Sequence, residues 1–290
     1  MLGAWPHSYG TALVQGGKIP IAFGAARGTV RAMSVKAVIA RLLGPKASRR
    51  IRRALGREPF DEVHLVHSVF RKLRTIGQMV DVGAHHGTAL APFAEDGWEV
   101  LAFEPDNRNR KLLEEAYGTH PSVTIRSDAV AEVEADELAF FASDVSSGIS
   151  SLSPFHDSHE QRQTVRATTL ARALRGVDSV DFLKVDTEGH DLFVLKGYDW
   201  SKPPTAIICE FEDRKTLPLG YSLKDLADFL IDKGYSVLVS EWEPIVEYGQ
   251  RHTWKRFSRD PSSVSADGWG NLIASRDPHF DSELQQMAKR

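Results

Sequence analysis

Between residues 79 and 274 the apolar positions alternate between two patterns. Short continuous runs occur at Met79–Val82, Val100–Phe103, Val123–Ile125, Phe182–Asp186, Ala206–Glu210, Ser236–Val239 and Asn271–Ala274. Runs of this length read as strands buried on both faces. Between them apolar residues recur every three or four positions, at Thr88–Glu95, Asn107–Tyr117, Asp191–Lys196 and Leu223–Lys233. A further helix is expected from about Pro59 to Leu73, with Val63, Val66, Val69, Phe70 and Leu73 on one face. Strand and helix in turn predict an α/β domain with a mostly parallel seven-stranded sheet and helices on both faces. Leu138–Ala142 and Thr164–Thr168 read as extra strands, joined by a polar loop, Ser143–Gln163.

Ahead of this body the pattern changes. Residues 1–32 have no period, while Val35, Val38, Ile39, Leu42 and Leu43 are spaced for an amphipathic helix that Gly44-Pro45 interrupts. Charge divides at the same place. Residues 1–57 hold eleven Lys/Arg and no acidic residue, whereas the other 233 hold 25 Lys/Arg against 39 Asp/Glu. The chain is therefore divided into a basic extension, 1–57, partly helical or disordered, and a domain, 58–290. A basic amphipathic segment over 35–57 suits peripheral contact with an anionic membrane, and equally a solvated leader. No apolar stretch reaches the length of a membrane span, and Lys36 and Arg41 spoil Val35–Leu43 as a secretion signal. Cys209 is the only cysteine, so neither an intrachain disulfide nor a Cys-based zinc site can form. These features place the protein in the cytoplasm, with membrane contact at most peripheral.

Four short motifs carry the chemistry. In Met79-Val80-Asp81-Val82-Gly83-Ala84-His85-His86-Gly87-Thr88 a strand enters a glycine turn that opens a helix, where backbone N–H groups are free to meet a ligand. A dinucleotide site would carry G-x-G-x-x-G; here Asp81 precedes Gly-x-x-x-Gly, which suits a cationic amino-acid head group better than a pyrophosphate. Glu104, 23 residues beyond Asp81, ends the next strand before Pro105 and stands where such folds bind ribose hydroxyls. Asp128-Ala129 follows the third strand, beside the place of an adenine, though an ordinary turn would look the same. Lys184, Asp186, Glu188 and His190 converge at the end of the fourth strand, either as a reaction site or as caps for the helix at Asp191.

Together with Ser147-Gly148-Ile149-Ser150-Ser151-Leu152, Thr168-Thr169-Leu170, Asp181 to Gly189 with its Lys-x-Asp-x-Glu-Gly core, Val194 to Gly197, Pro204 and Cys209-Glu210, these motifs resemble the FkbM family of methyltransferases over about residues 79–211. The resemblance implies a Rossmann-like class I methyltransferase fold and S-adenosylmethionine as cofactor. It assigns Asp81, Gly83, Ala84, His85 and Gly87 to the methionine part, Glu104 with Pro105 to the ribose, and Asp128 with Ala129 to the adenine. His85 departs from the family, which more often has Asn there. The implied reaction is O-methylation of a sugar, glycolipid, polysaccharide or natural product.

A sulfonium methyl needs mainly alignment with its acceptor, and a base to take the hydroxyl proton. Asp186 is the first candidate for that base, with Glu188 and His190 as alternatives and Lys184 placed to stabilise a developing alkoxide. Asp186 with Glu188 or Glu210 could instead hold a divalent metal. The loop Ser143–Gln163 is expected to close over the acceptor. Two rivals remain: a nucleic-acid methyltransferase, disfavoured because no Asn-Pro-Pro-Tyr-like segment is present to flank a flipped base, and a nicotinamide-dependent oxidoreductase, disfavoured by Asp81 and the missing third glycine.

Overall fold

Residues 60–144, 147–245 and 252–288 are described by the structure, a computed structural model. The basic extension over 1–57, with its expected helix and membrane-contact segment, lies outside the described residues. In chain order the elements are α1 (Glu62–Leu73), β1 (Gln78–Val82), α2 (Ala91–Glu95), β2 (Glu99–Phe103), α3 (Asn107–Tyr117) and β3 (Val123–Arg126). Then come β4 (Ala129–Val130), β5 (Ala135–Ala142), β6 (Glu160–Thr168), α4 (Leu170–Ala173), β7 (Phe182–Val185) and α5 (Asp191–Lys196). The chain continues through β8 (Ala206–Glu212), α6 (Asp213–Thr216), α7 (Leu223–Asp232), β9 (Ser236–Trp242), β10 (Trp254–Ser258), β11 (Trp269–Ser275) and α8 (Pro278–Ala288).

The main sheet runs β10-β9-β11-β8-β7-β1-β2-β3. Strands β3, β2, β1, β7 and β8 pair in parallel, while β11 is antiparallel to both of its neighbours and β10 to β9. The order reverses beside β1, and such a switch point opens a crevice at the strands' carboxyl ends.

Alternation along each strand sends successive side chains to opposite faces. Met79, Val100, Phe182, Ile208 and Ile273 pack with Val66, Phe70, Phe93, Leu113, Phe280 and Leu284, from α1, α2, α3 and α8. Val80, Leu101, Leu183, Ile207 and Leu272 pack instead with Leu192, Leu195, Leu226 and Leu230, from α5 and α7. The same parity puts two charges together. Asp81 and Lys184 are register partners on β1 and β7, so their side chains share one face.

Eight strands replace the seven expected. The addition, β10, is an edge strand of half-buried residues whose pairing shifts register between Trp254 and Arg256, so the bulge removes the alternation that would have marked it. Its Lys255 and Arg256 pair with the buried Glu241 of β9 at 2.8 and 2.7 Å. The helical period at Thr88 gives only α2, because Pro92 has no N–H to bond the carbonyl of residue 88.

The expected polar loop also changes character. β4, β6 and β5 form a separate three-stranded sheet, with β6 already under way at Glu160. The connection between β5 and β6 carries a 3-10 turn at Ser147–Ile149 and a bridge from Ser151 to Phe141. Over its described residues, 147–159, it forms a strap. Among the described residues, no helix is long and apolar enough to cross a membrane.

Candidate active site

Leaving β1, the chain turns at Gly83 with φ +77°, where an added Cβ would lie 1.9 Å from the carbonyl oxygen of Asp186. Only glycine allows that approach. Gly83 and Ala84 both donate N–H to the carbonyl of Phe103 at 3.0 Å, and His85 (φ 50°) donates its N–H to Glu104 Oε2 at 2.7 Å. Glu104 Oε1 accepts from Asp106 N at 2.8 Å. The carboxylate is thus fixed by two backbone donors, and burial pushes its pKa up to about 7. Asp106 caps α3 by accepting from Arg108 N at 2.8 Å.

Across the crevice, β7 ends in Asp186, Thr187, Glu188, Gly189 and His190. The segment divides by role. Asp191 is buried and accepts from Thr187 Oγ1 at 2.8 Å and from Glu210 N at 2.9 Å, so it ties the turn to β8. Glu188 takes a left-handed φ of 56°. Asp186, Glu188 and His190 are left facing an open cleft. His190 shares a hydrogen bond with Ser153 Oγ at 2.9 Å, and burial holds its pKa near 4.

The strap crosses this cleft and is bonded to both walls. Ser147 Oγ meets a ring nitrogen of His85 at 2.9 Å, and Asn109 Nδ2 donates to Ser147 O at 2.9 Å. Ser150 Oγ donates to Asp106 Oδ2 at 2.9 Å, and Ser151 Oγ to the carbonyl of Glu188 at 3.1 Å. Ser147, Gly148, Ser150, Ser151 and Leu152 line the same cleft as Glu104, Glu188 and His190.

Of the residues expected at the cofactor, Gly83, His85, Glu104, Pro105, Asp128 and Ala129 line the cleft. Asp128 is buried there, with Oδ1 2.6 Å from Arg166 Nε. Asp81, Ala84 and Gly87 are not among the lining residues. Gly87 (φ +81°) lets α3 approach, since a Cβ would come within 2.6 Å of Tyr117 and 2.8 Å of Leu113. Asp81 is wholly buried, with Oδ1 3.0 Å from Lys184 Nζ and Oδ2 unpartnered. Lys184 also donates to the Gly83 carbonyl at 3.0 Å and lies 3.4 Å from Asp186 Oδ2, so it braces the turn from beneath and is absent from the lining. Sequence reasoning missed Asn109, Phe140 and Lys215. Asn109 is one turn into a helix already read correctly, so its facing could have been inferred; Lys215 carried no motif.

Glu104 fits the ribose of S-adenosylmethionine: once ionised it is an acceptor-only carboxylate, held by two backbone donors at the cleft wall. A divalent metal fits less well. Asp186, Glu188 and Glu210 each offer an oxygen within 4.8 Å of the others, but Lys215 Nζ already lies against Glu188 and 3.2 Å from Glu210.

The family model described as "Methyltransferase FkbM domain" matches residues 81–237. No curated protein matches the chain. Among solved structures, magnesium protoporphyrin IX methyltransferase from Synechocystis PCC 6803, with bound S-adenosylmethionine, is 13% identical over 86% of this chain and 100% of its own, with a TM-score of 0.39. A putative O-methyltransferase from Klebsiella pneumoniae is 12% identical over 83% of this chain and 95% of its own, at 0.40. A precorrin-6y C5,15-methyltransferase from Geobacter metallireducens is 13% identical over 75% and 94%, at 0.38.

Proposed function

The chain belongs to the FkbM methyltransferase family, which makes it an S-adenosylmethionine-dependent methyltransferase, and from that premise we propose that it methylates a hydroxyl oxygen of a neutral, polyhydroxylated acceptor such as a sugar, glycolipid, polysaccharide or natural product. The observation that carries this reading is Asp186: its side chain is 43% exposed in a cleft whose other carboxylates are almost enclosed. A carboxylate that reaches solvent at the strand ends is free to accept a proton from an incoming hydroxyl.

When bound, S-adenosylmethionine supplies an electrophilic methyl group. The chain's own residues do the rest. Glu104 accepts from the ribose hydroxyls, and Gly83 and Ala129 let the ligand come close to the backbone. Lys184 orients Asp186 at 3.4 Å. Asp186 would take the acceptor's proton as its oxygen gained the methyl from sulfur, so that the products would be a methyl ether, a protonated carboxyl and S-adenosylhomocysteine. His190 is neutral at pH 7 because burial holds its pKa near 4, and the same burial makes it a poorer acceptor for that proton than Asp186.

Charge supports a neutral acceptor. Asp186, Glu188 and Glu210 gather at this end of the cleft, where a phosphate backbone would be repelled. The nucleic-acid alternative is therefore disfavoured, and the oxidoreductase alternative falls with the family.

The test is transfer from methyl-labelled S-adenosylmethionine to a panel of sugars, glycolipid headgroups, RNA and amines, with products identified by mass spectrometry. A labelled methyl ether on a polyol is expected. Labelled RNA or amine, with every polyol unlabelled, would overturn the reading.

A further inference from the structure

The acidic end of the cleft holds more negative charge than a buried site tolerates unpaired. Asp186, Glu188 and Glu210 bring three carboxylate oxygens within 4.8 Å of one another, a spacing suited to a dication. Two ammonium groups already stand there. Lys215 follows β8 on α6, and only 2% of its side chain is exposed. Its Nζ bonds Glu188, lies 3.2 Å from Glu210 Oε2 and reaches Glu212 Oε2 at 2.8 Å. Glu188 and Glu210 take hydrogen bonds from that ammonium, while Glu212 is an ion-pair neighbour. The ring of Phe155, from the strap, stands 5.0 Å from Nζ. Lys184 supplies the second positive charge, 3.4 Å from Asp186.

Together the two lysines bring two positive charges to the three-oxygen cluster, shared with Asp81 and Glu212. A metal entering between Glu188 and Glu210 would have to displace an ammonium that is hydrogen-bonded to both, ion-paired with Glu212 and capped by an aromatic ring. We propose that Lys215 is the resident cation of the acceptor end: it positions Glu188 and Glu210 and takes the place of a divalent metal, so that methyl transfer proceeds without one. This rests on the reading of that end as the acceptor side, but Lys215's occupancy can be measured without any acceptor.

The experiment is Mn2+ titration of the full chain, followed by electron paramagnetic resonance of the free ion. Wild type is expected to leave the Mn2+ signal unchanged, and Lys215→Ala to bind one Mn2+ per chain. Lys215→Ala with Glu188→Gln should lose that binding. The charge-preserving Lys215→Arg should behave as wild type, a result that loss of packing alone would not give. One Mn2+ bound by wild type would overturn the proposal, and so would a folded Lys215→Ala that binds none. If Lys215→Ala does not fold, the wild-type titration decides alone, with binding against the proposal and no binding for it. Failure to find a methylated polyol would leave these results standing, so the two ideas fail separately.

Discussion

The two ends of the cleft are built from different materials. At the cofactor end Glu104 is held by the N–H groups of His85 and Asp106, and the Gly83 turn hangs from the carbonyl of Phe103. At the proposed acceptor end Glu188 and Glu210 are held by one ammonium, that of Lys215. Backbone donors are neutral and keep their direction, so the first end is fixed as soon as β1 and β2 pair. The second depends on ionised side chains that need one another, and removing one strands the rest. The cofactor end should therefore respond most to backbone geometry and to protonation of a single acid, and the acceptor end to changes of charge.

The close approach of Gly83 to Asp186, where the ends meet, gives the largest expected effect. Gly83→Ala would drive a Cβ to 1.9 Å from the backbone of Asp186 at a φ of +77°. Left-handed strain and overpacking together should cost about 2–6 kcal/mol, a large part of the ~5–15 kcal/mol that stabilises a typical domain. Chemical denaturation measures it. A variant as stable as wild type would mean that the turn relaxes and the two ends are not rigidly joined.

Next in size is Asp186→Asn, which should lower turnover by ~10²–10⁴-fold, the usual contribution of a positioned base. Isothermal titration with S-adenosylhomocysteine should give the same affinity as wild type. If affinity falls in step with turnover, Asp186 belongs to the cofactor end and the division drawn above is misplaced.

That division also explains what the sequence could tell. Asn107–Tyr117 and Asp191–Lys196 were read to the residue, and all seven expected strands are present, because buried runs and helical periods are local signals. Gly83 and Glu104 were legible for the same reason: each is one step beyond a strand. Lys215 was not, since the Glu188 it bonds lies 27 residues away and no spacing rule links the two. The contacts of the strap were not legible, because its serines reach His85, Asp106, Glu188 and His190, none of them near in sequence. Asp81 was legible as an important acid, yet its lysine became visible only with the register of β1 against β7.

Smallest is the effect of pH on cofactor affinity, and its sign separates the two ends. Burial lifts Glu104 to about 7, so the folded apo protein holds a proton that the unfolded chain releases near 4.5. The stability that this proton contributes is full below 4.5 and is lost as pH rises through about 7. Ligand affinity should run the other way, because the ribose hydroxyls need an ionised acceptor. S-adenosylhomocysteine should bind more weakly as pH falls below about 7, approaching tenfold per unit, or ~1.4 kcal/mol. Burial holds His85 near 4, so its ring stays neutral through this window and cannot supply the slope. Glu188 is the rival, since burial raises it as well and it lines the same cleft. Glu104→Gln should bind ~1–3 kcal/mol more weakly at pH 8 and show no slope, having lost its charge-assisted acceptor. Glu188→Gln should keep the slope of wild type. If the slope vanishes with Glu188→Gln and persists with Glu104→Gln, the titrating acid sits at the acceptor end, and the carboxylate fixed by backbone donors is not the one that senses pH.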